Sequence, residues 1–588
     1  MDDKSLARQD FNARLQRYKS GLLNRLHARL GGFARPVTAF VSQPEPKTIG
    51  SFTNGLQLIA GNFLFDGFLV EAPGRSPWLV TSPDPAFERE AHGFAWLDDL
   101  AAVGDRSARE LAQWWLLDWI DAYGRGKGPG WEPDLAGRRL IRWINHKLFL
   151  LKGMEKAQSD RFYRSLARHT RFVAKRWTAA EAGYPRFEAL TGMIYAGLSL
   201  EGADHLVGLS ARALGQECAD RIDAGGGIPS RNPEELMEIF TLLNWAASAL
   251  SEEGNKPDPR HLAAIERIAP TLRTLRHGDG SLARFHGGGR GAEGRLDQAL
   301  AASGIRARLS GGTAMGFSRL ASGRTCILMD TSPPPIGEGS LNAHASTLAF
   351  ELTSGRKPFI VNCGSGRAFG AEWRRAARAT PSHSTLSIDN FSSSRFAPRK
   401  AGGLVDRLIE GPKKVELRQM NGYGGVQILA THNGYATTHG LHHVRRLDLS
   451  LDGRNLSGND TLGALSEADR ALFEDLMDRT KLKGVDFAVR FHLHPDCSAE
   501  LDLGGNAVSI TFQDHEVWVF RHEGAASLAL SPSVYLERGR LKPRATKQIV
   551  LSDKVFDYSS QISWTLQRVQ DSQRSFRDVE AEQGLTSE

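Results

Sequence analysis

Asn342-Ala343-His344-Ala345-Ser346-Thr347-Leu348-Ala349-Phe350-Glu351-Leu352 is followed by Phe359-Ile360-Val361-Asn362-Cys363-Gly364 and then by Ser382-His383-Ser384-Thr385-Leu386. Short apolar runs closed by turn residues read as a β-hairpin with a further strand start. The polar members Asn342, His344, Asn362 and His383 fall at strand ends or beside turns. Side chains from separate strands converge at such places.

Downstream of about Thr313 the apolar pattern alternates, with glycine-bearing turns every 8 to 12 residues, as in an all-β sandwich. FSRLASGRTCILMD, VDFAVRFHLHP and EVWVFRHEG are examples. Upstream, from about Ser107 to His277, apolar residues recur every three or four positions. That spacing predicts seven helices, over 107–124, 134–152, 159–178, 184–202, 204–223, 232–252 and 259–277. Asn232-Pro233-Glu234-Glu235 is a strong helix start: a capping side chain, proline in the first turn, then acids. The expected organisation is α+β and multidomain. Residues 1–106 form a mixed segment packed on the helices, 107–285 the helical domain, 286–312 a glycine-rich linker, 313–570 the sandwich and 571–588 a charged, frayed tail.

At 588 residues the chain exceeds a single core. Its net charge of +7 favours polyanionic partners by long-range attraction. No zinc-finger spacing, basic-aromatic motif or long basic run favours nucleic acid. The four cysteines are scattered without a C-x-x-C pair, against both a disulfide framework and a cysteine zinc site. The twelve tryptophans suit either a sugar-stacking cleft or core packing. No 18-residue apolar run predicts a membrane span, and the charged N-terminus does not read as a secretory signal; on sequence the expected location is cytoplasmic. Leu15 to Leu30 is basic and amphipathic, suited to packing on a domain or to a polyanionic or membrane surface.

The order of NAHASTLAFEL, FIVNCGSG, ATPSHSTL and HVRRLDLSLDG resembles the C-terminal domain of the heparinase II/III family of polysaccharide lyases. The resemblance implies an incomplete α/α toroid followed by an antiparallel β-sandwich, with the active site in the cleft between. It implies a lyase that cleaves a uronic-acid polysaccharide by β-elimination, in the cell envelope or periplasm. Family members carry His-x-His-x-Asp, then an Asp before Gly, then a His before Asn/Ser-Thr. Here His344 and His383 are retained, whereas Asn342, Ser346 and Asn362 replace the first His and the two acids. Zinc-bearing relatives ligate the metal through positions matching His344, Asn362 and His383. An amide oxygen at Asn362 makes a poor zinc site, so no metal and no required cofactor is expected.

β-Elimination needs a neutralised carboxylate, a base for the C5 proton and an acid for the leaving oxygen. The resemblance points to His344, His383, Asn232 and Tyr184 for catalysis. Arg231, Asn342, Asn362, His286, Arg374 and Arg378 are the candidates for substrate binding. Arg231 offers a bidentate clamp beside a helix N-terminus, and His286 lies in the boundary loop, able to face the cleft. Asn232 reads equally as a helix cap, and the two histidines equally as partners of strand-end backbone. Tyr195 reads as core; His492, His494, His439, His442 and His443 read as structural. Two alternatives stay open: a non-catalytic polysaccharide-binding protein on the same scaffold, and a glycoside hydrolase, which requires a pair of carboxylic acids in the cleft. No nucleophile elbow, P-loop or H-E-x-x-H motif supports acyl-hydrolase, nucleotide or zinc-protease chemistry.

Overall fold

The computed structural model describes residues 3–33, 37–42, 44–309, 311–397, 407–422 and 424–570. The tail expected from Asp571 lies outside the described residues. Helices at Arg106–Tyr123, Pro133–Asn145, Lys156–Arg176, Tyr184–Ser199, Val207–Arg221, Pro233–Glu252 and Pro259–Thr274 occupy the stretches that the periodicity assigns. The run expected over 134–152 breaks at His146 (φ −101°, ψ 20°), and a five-residue helix, Lys147–Leu151, follows. Three short helices in the first hundred residues, Phe52–Ile59, Pro85–Gly93 and Trp96–Val103, have no counterpart in the pattern. Two or three turns give too few apolar repeats to register a period.

Pro133–Asn145 and Tyr184–Ser199 are buried over nearly their whole surface and form the inner layer of the toroid. Their backbones touch at glycine. A Cβ on Gly137 would lie 2.5 Å from the Glu188 carbonyl oxygen, and one on Gly192 would lie 2.4 Å from that of Gly137. Most tryptophans serve as core rather than as sugar platforms. Trp96, Trp115, Trp119, Trp131 and Trp143 are almost fully buried with Phe94 and His169, and Arg139 lies 4.4 Å over the Trp119 ring.

The second half is a sandwich of antiparallel sheets, one of nine strands and one of eight. Thr313–Ala314, Phe317–Ser322, Thr325–Asp330, Phe350–Ser354 and Lys357–Val361 run consecutively along the first sheet, next to Val485–Leu493. The hairpin read from the sequence is Phe350–Ser354 with Lys357–Val361, and Leu386–Ile388 is the further strand. Residues 343–349 are not strand; they form a strap across the sheet end. Leu441–Ser450 alternates buried positions with part-buried or exposed ones along its whole length, the signature of one face turned to the core. Helices break the all-β expectation: Ala371–Ala376, Ala436–His439 and the longest, Glu467–Arg479, opened by a reciprocal cap between Ser466 and Asp469.

Candidate functional site at the junction of the halves

The site begins with the helix Pro233–Glu252. Asn232 caps it, its Oδ1 accepting from the N–H groups of Glu234 (3.0 Å) and Glu235 (3.3 Å). Among the described residues its Nδ2 has no hydrogen-bond partner. The loop 286–289 lies directly on this cap: a Cβ on Gly288 would sit 2.4 Å from Asn232 Oδ1, and one on Gly287 (φ +88°) 2.8 Å from Asn342 Cβ. The glycine run is thus a wall of bare backbone wedged between two asparagines from the two halves.

Three histidines meet behind that wall, all almost fully buried. The Gly287 N–H donates to His344 Nε2 at 3.0 Å, which puts the His344 proton on Nδ1. That Nδ1 lies 3.0 Å from His383 Nε2, and His383 Nδ1 donates to the Ala379 carbonyl at 2.9 Å. The His344 backbone N–H donates to His286 Nδ1 at 3.1 Å, leaving the His286 Nε2–H facing Asp330 Oδ2 at 3.5 Å. The tautomers therefore follow from the hydrogen bonds, and each imidazole is neutral. Burial pushes His344 well below the usual histidine range, with His383 and His286 adding repulsion. Burial likewise pushes His383 down to about 4 and lowers His286.

Asp330, at the end of Thr325–Asp330, collects the junction. Arg231 Nη2 donates to its Oδ1 at 2.6 Å and Ser346 Oγ to its Oδ2 at 2.7 Å. Although burial opposes its charge, Arg231 and His286 hold its carboxyl far below the usual range. Arg231 itself has φ +51° and spends its other donors on the carbonyls of Met315, Gly316 and Pro333, with its guanidinium 4.6 Å over Phe317. The expectation of a carboxylate clamp at Arg231 is corrected: the side chain is an inter-half staple with its fork occupied. His286 is corrected too, being enclosed by Phe285, Phe317 and His344 rather than facing a cleft.

Asn362 is buried. Its Oδ1 accepts from the Ser384 N–H (2.9 Å) and its Nδ2 points to Glu351 Oε1 (3.3 Å), so both ends of its amide are engaged inside the sandwich. Arg378 is 2 % exposed and donates to the carbonyls of Ala343 (2.7 Å) and Ser340 (3.0 Å), which removes it from an open basic cluster. Asn342 and Arg374 are half-buried at the rim, 3.2 Å apart. Tyr184 is half-buried at the start of its helix. Burial and the Glu188 charge raise its hydroxyl well above the ordinary value, so it holds its proton more tightly than a free tyrosine. Tyr195 is buried, as expected, and His492 is held by Ser533 Oγ (2.7 Å) and the Pro381 carbonyl (3.0 Å).

Sequence reasoning missed the carboxylates that organise the junction. Besides Asp330, Glu351 lies buried inside the quoted LAFEL run and joins the halves: it accepts from the Arg284 N–H at 2.9 Å and meets His277 Nε2 at 3.1 Å. Burial alone would lower His277, but Cys326 and Glu351 beside it hold it up to about 10. An acid within an otherwise apolar strand was the available signal. Arg538 reaches Asp66 (3.2 Å) and Glu234 (3.6 Å) across the halves.

Residues 305–565 match the family model described as heparinase II/III-like, C-terminal. Over 548 residues, 91% of both chains, the protein is 30% identical to FtsZ-localized protein C of Caulobacter vibrioides. The chain belongs to the heparinase II/III-like family. Its fold is that of the family's solved lyases. A heparinase III crystal structure superposes with a TM-score of 0.67 at 13% identity, covering 96% of this chain and 91% of that one. A heparan sulfate lyase HepC mutant from Pedobacter heparinus gives 0.59 at 15%, covering 94% and 89%. A chondroitinase AC lyase gives 0.53 at 9%, covering 97% and 85%.

The zinc known from heparinase II/III relatives does not fit these side chains. His344 Nδ1 and His383 Nε2 face each other across a hydrogen bond, and Asn362 brings a neutral amide already engaged by Ser384 and Glu351. Three ligands would have to break these three hydrogen bonds to converge on one ion.

Proposed function

We propose that this heparinase II/III-like chain binds an acidic polysaccharide along the groove between its halves, as a binding protein built on a lyase scaffold. One observation carries the reading: the chain from the Gly287 N–H through His344 and His383 to the Ala379 carbonyl commits all four ring nitrogens. A base for the C5 proton needs an open lone pair within hydrogen-bond reach of substrate, and neither histidine keeps one. The fork of Arg231, the natural partner of a uronate, is equally committed. At the rim the Nδ2 of Asn232 is suited to holding a polymer, and Arg374, which donates to Asn342 Oδ1 at 3.2 Å, adds positive charge beside it. The net charge of +7 supports a polyanion. The relative's name, FtsZ-localized protein C, supports a role beside the FtsZ division assembly, which we extend to this chain.

Polysaccharide lyase activity is the second reading, favoured by the lyase fold and the retained His344 and His383. A panel of uronic-acid polymers separates the two. Binding that weakens with salt, without the absorbance of an unsaturated uronate at roughly 230 nm, is the expected result. An absorbance rise that disappears in folded His344→Gln and His383→Gln proteins overturns it in favour of the lyase. New reducing ends without that chromophore indicate hydrolysis.

A further inference from the structure

A cavity of about 460 Å³ opens at the end of the toroid opposite the groove, lined among others by Thr48, Ile49, Asp98, Asn145, His146 and Phe149. Its position follows from helix direction. Asn145 ends Pro133–Asn145, and Lys47, on the segment that forms the cavity wall, pairs at 3.1 Å with Glu252 at the last position of Pro233–Glu252. The groove cap Asn232 is at the other end of that helix, about 30 Å away at 1.5 Å per residue.

The polar groups of this cavity are unusual for a protein interior. Asn145 is 3 % exposed, yet among the described residues neither its Oδ1 nor its Nδ2 has a hydrogen-bond partner, while the Thr48 hydroxyl borders the Asp98 carboxylate. Buried amides almost always find partners, because an unmade bond forfeits the hydration that was given up. Beside them Asp98 and His146 form a buried pair at 2.7 Å, with Arg142 Nε 3.4 Å from the same carboxylate. Burial opposes the Asp98 charge, but Arg142 and His146 keep its carboxyl below the usual range, so it is an acceptor. The wall segment is fixed in place: a Cβ on Gly50 would lie 1.9 Å from the Asp98 carbonyl oxygen, and the Ser51 N–H donates to Asp99 at 2.7 Å.

We propose that this cavity is a binding site for an acetamido group carried on a small neutral body. An amide N–H and C=O side by side are the complement of the unpartnered Asn145 amide. A methyl group suits the Ile49 and Phe149 walls, and hydroxyls suit Asp98 and Thr48. An N-acetylated amino sugar and an acetylated peptide unit share this chemistry.

The test uses the full chain with N-acetylglucosamine, glucose and N-acetylalanine N-methylamide as probes, read by saturation-transfer NMR and by titration. Binding of an acetamide with its acetyl methyl in closest contact, and no binding of glucose, is the expected result. Tighter binding of the sugar assigns an amino-sugar ligand; tighter binding of the capped alanine assigns a peptide. Asn145→Leu, which keeps volume but removes both hydrogen bonds, should weaken binding about tenfold or more. Ala101→Phe, which fills the cavity from its wall, should abolish binding without touching Asn145, and it decides the matter if Asn145→Leu does not fold. Failure of both acetamides to bind overturns the proposal, as does unchanged affinity in the folded variant. Neither outcome bears on polysaccharide binding in the groove.

Discussion

The protein builds the same constellation twice. At the junction, Arg231 pairs with Asp330, which faces His286, which in turn contacts His344. Inside the sandwich, Arg445 pairs with Asp460 at 2.7 Å, Asp460 accepts from His443 at 2.7 Å, and His443 meets His432 at 3.4 Å. In both, arginine and histidine hold the aspartate far below the usual carboxylate range against its burial. The difference is topological. All members of the second set come from the sandwich, and Arg445 also grips the Leu348 and Ser384 carbonyls, fixing both the strap that bears His344 and the segment that bears His383. The first set draws Arg231 and His286 from the helical half and its boundary loop, and Asp330 and His344 from the β half. One set is a core staple and the other is a joint, although residue types and distances nearly coincide. Chemistry alone does not announce which role a buried ion pair plays.

The largest expected effect comes from removing each aspartate, since each deletion strands a buried arginine. Asp460→Ala and Asp330→Ala should each cost about 3–5 kcal/mol, measured by denaturant unfolding. Asp460→Ala should lower the unfolding of the sandwich as a unit, whereas Asp330→Ala should split unfolding into two transitions as the halves uncouple. A single shifted transition in both variants would erase the distinction between staple and joint.

Next in size is His344→Ala, which leaves the Gly287 N–H and His383 Nε2 without partners, at about 1–3 kcal/mol. Differential scanning calorimetry should show the loss at the junction, with His344→Gln recovering part of it. Equal stability of the alanine variant would mean that the imidazole chain is not structural.

Acid and alkali should act on the joint through different groups. Burial holds His383 down to about 4 in the fold against 6.5 for a free histidine, and His344 and His286 are also lowered. The unfolded chain therefore binds more protons in that window, so stability is full above 6.5 and falls as pH drops toward 4. His277 has the opposite sign: raised to about 10 by its neighbours, it contributes fully below 6.5, and that contribution is lost as pH rises toward 10. His277→Gln should flatten the alkaline limb of a melting-temperature profile and leave the acid limb in place.

The smallest effect belongs to the rim. Arg538 is 60% exposed, so its pairs with Asp66 and Glu234 are screened, and Arg538→Ala should cost no more than about 1 kcal/mol, less in high salt.

Much of this architecture was legible in the residues. Helices of four or more turns declare a 3.6-residue period, and Leu441–Ser450 declares a period of two. Asn232 was readable as a cap because Pro233, Glu234 and Glu235 follow it. The junction was less legible because its bonds connect residues far apart in the chain, such as Arg231 with Asp330, 99 positions away. Arg231 looked like a free clamp; nothing local reveals that the carbonyls of Met315, Gly316 and Pro333 absorb its donors. Likewise His344 and His383 stood out by type, but their tautomers depend on a glycine N–H and an alanine carbonyl, which carry no sequence signature.

The bare-backbone wall has a consequence for how such a protein changes over time. Gly287 supplies the proton that sets His344, 57 positions away, and Gly288 has no room for even a methyl beside Asn232. A side chain arriving on one bank must be met by a shorter one on the other, so drift across the wall has to proceed in matched steps. The helical half and the sandwich of one lineage are therefore poor donors for chimaeras with another, however well the two folds superpose.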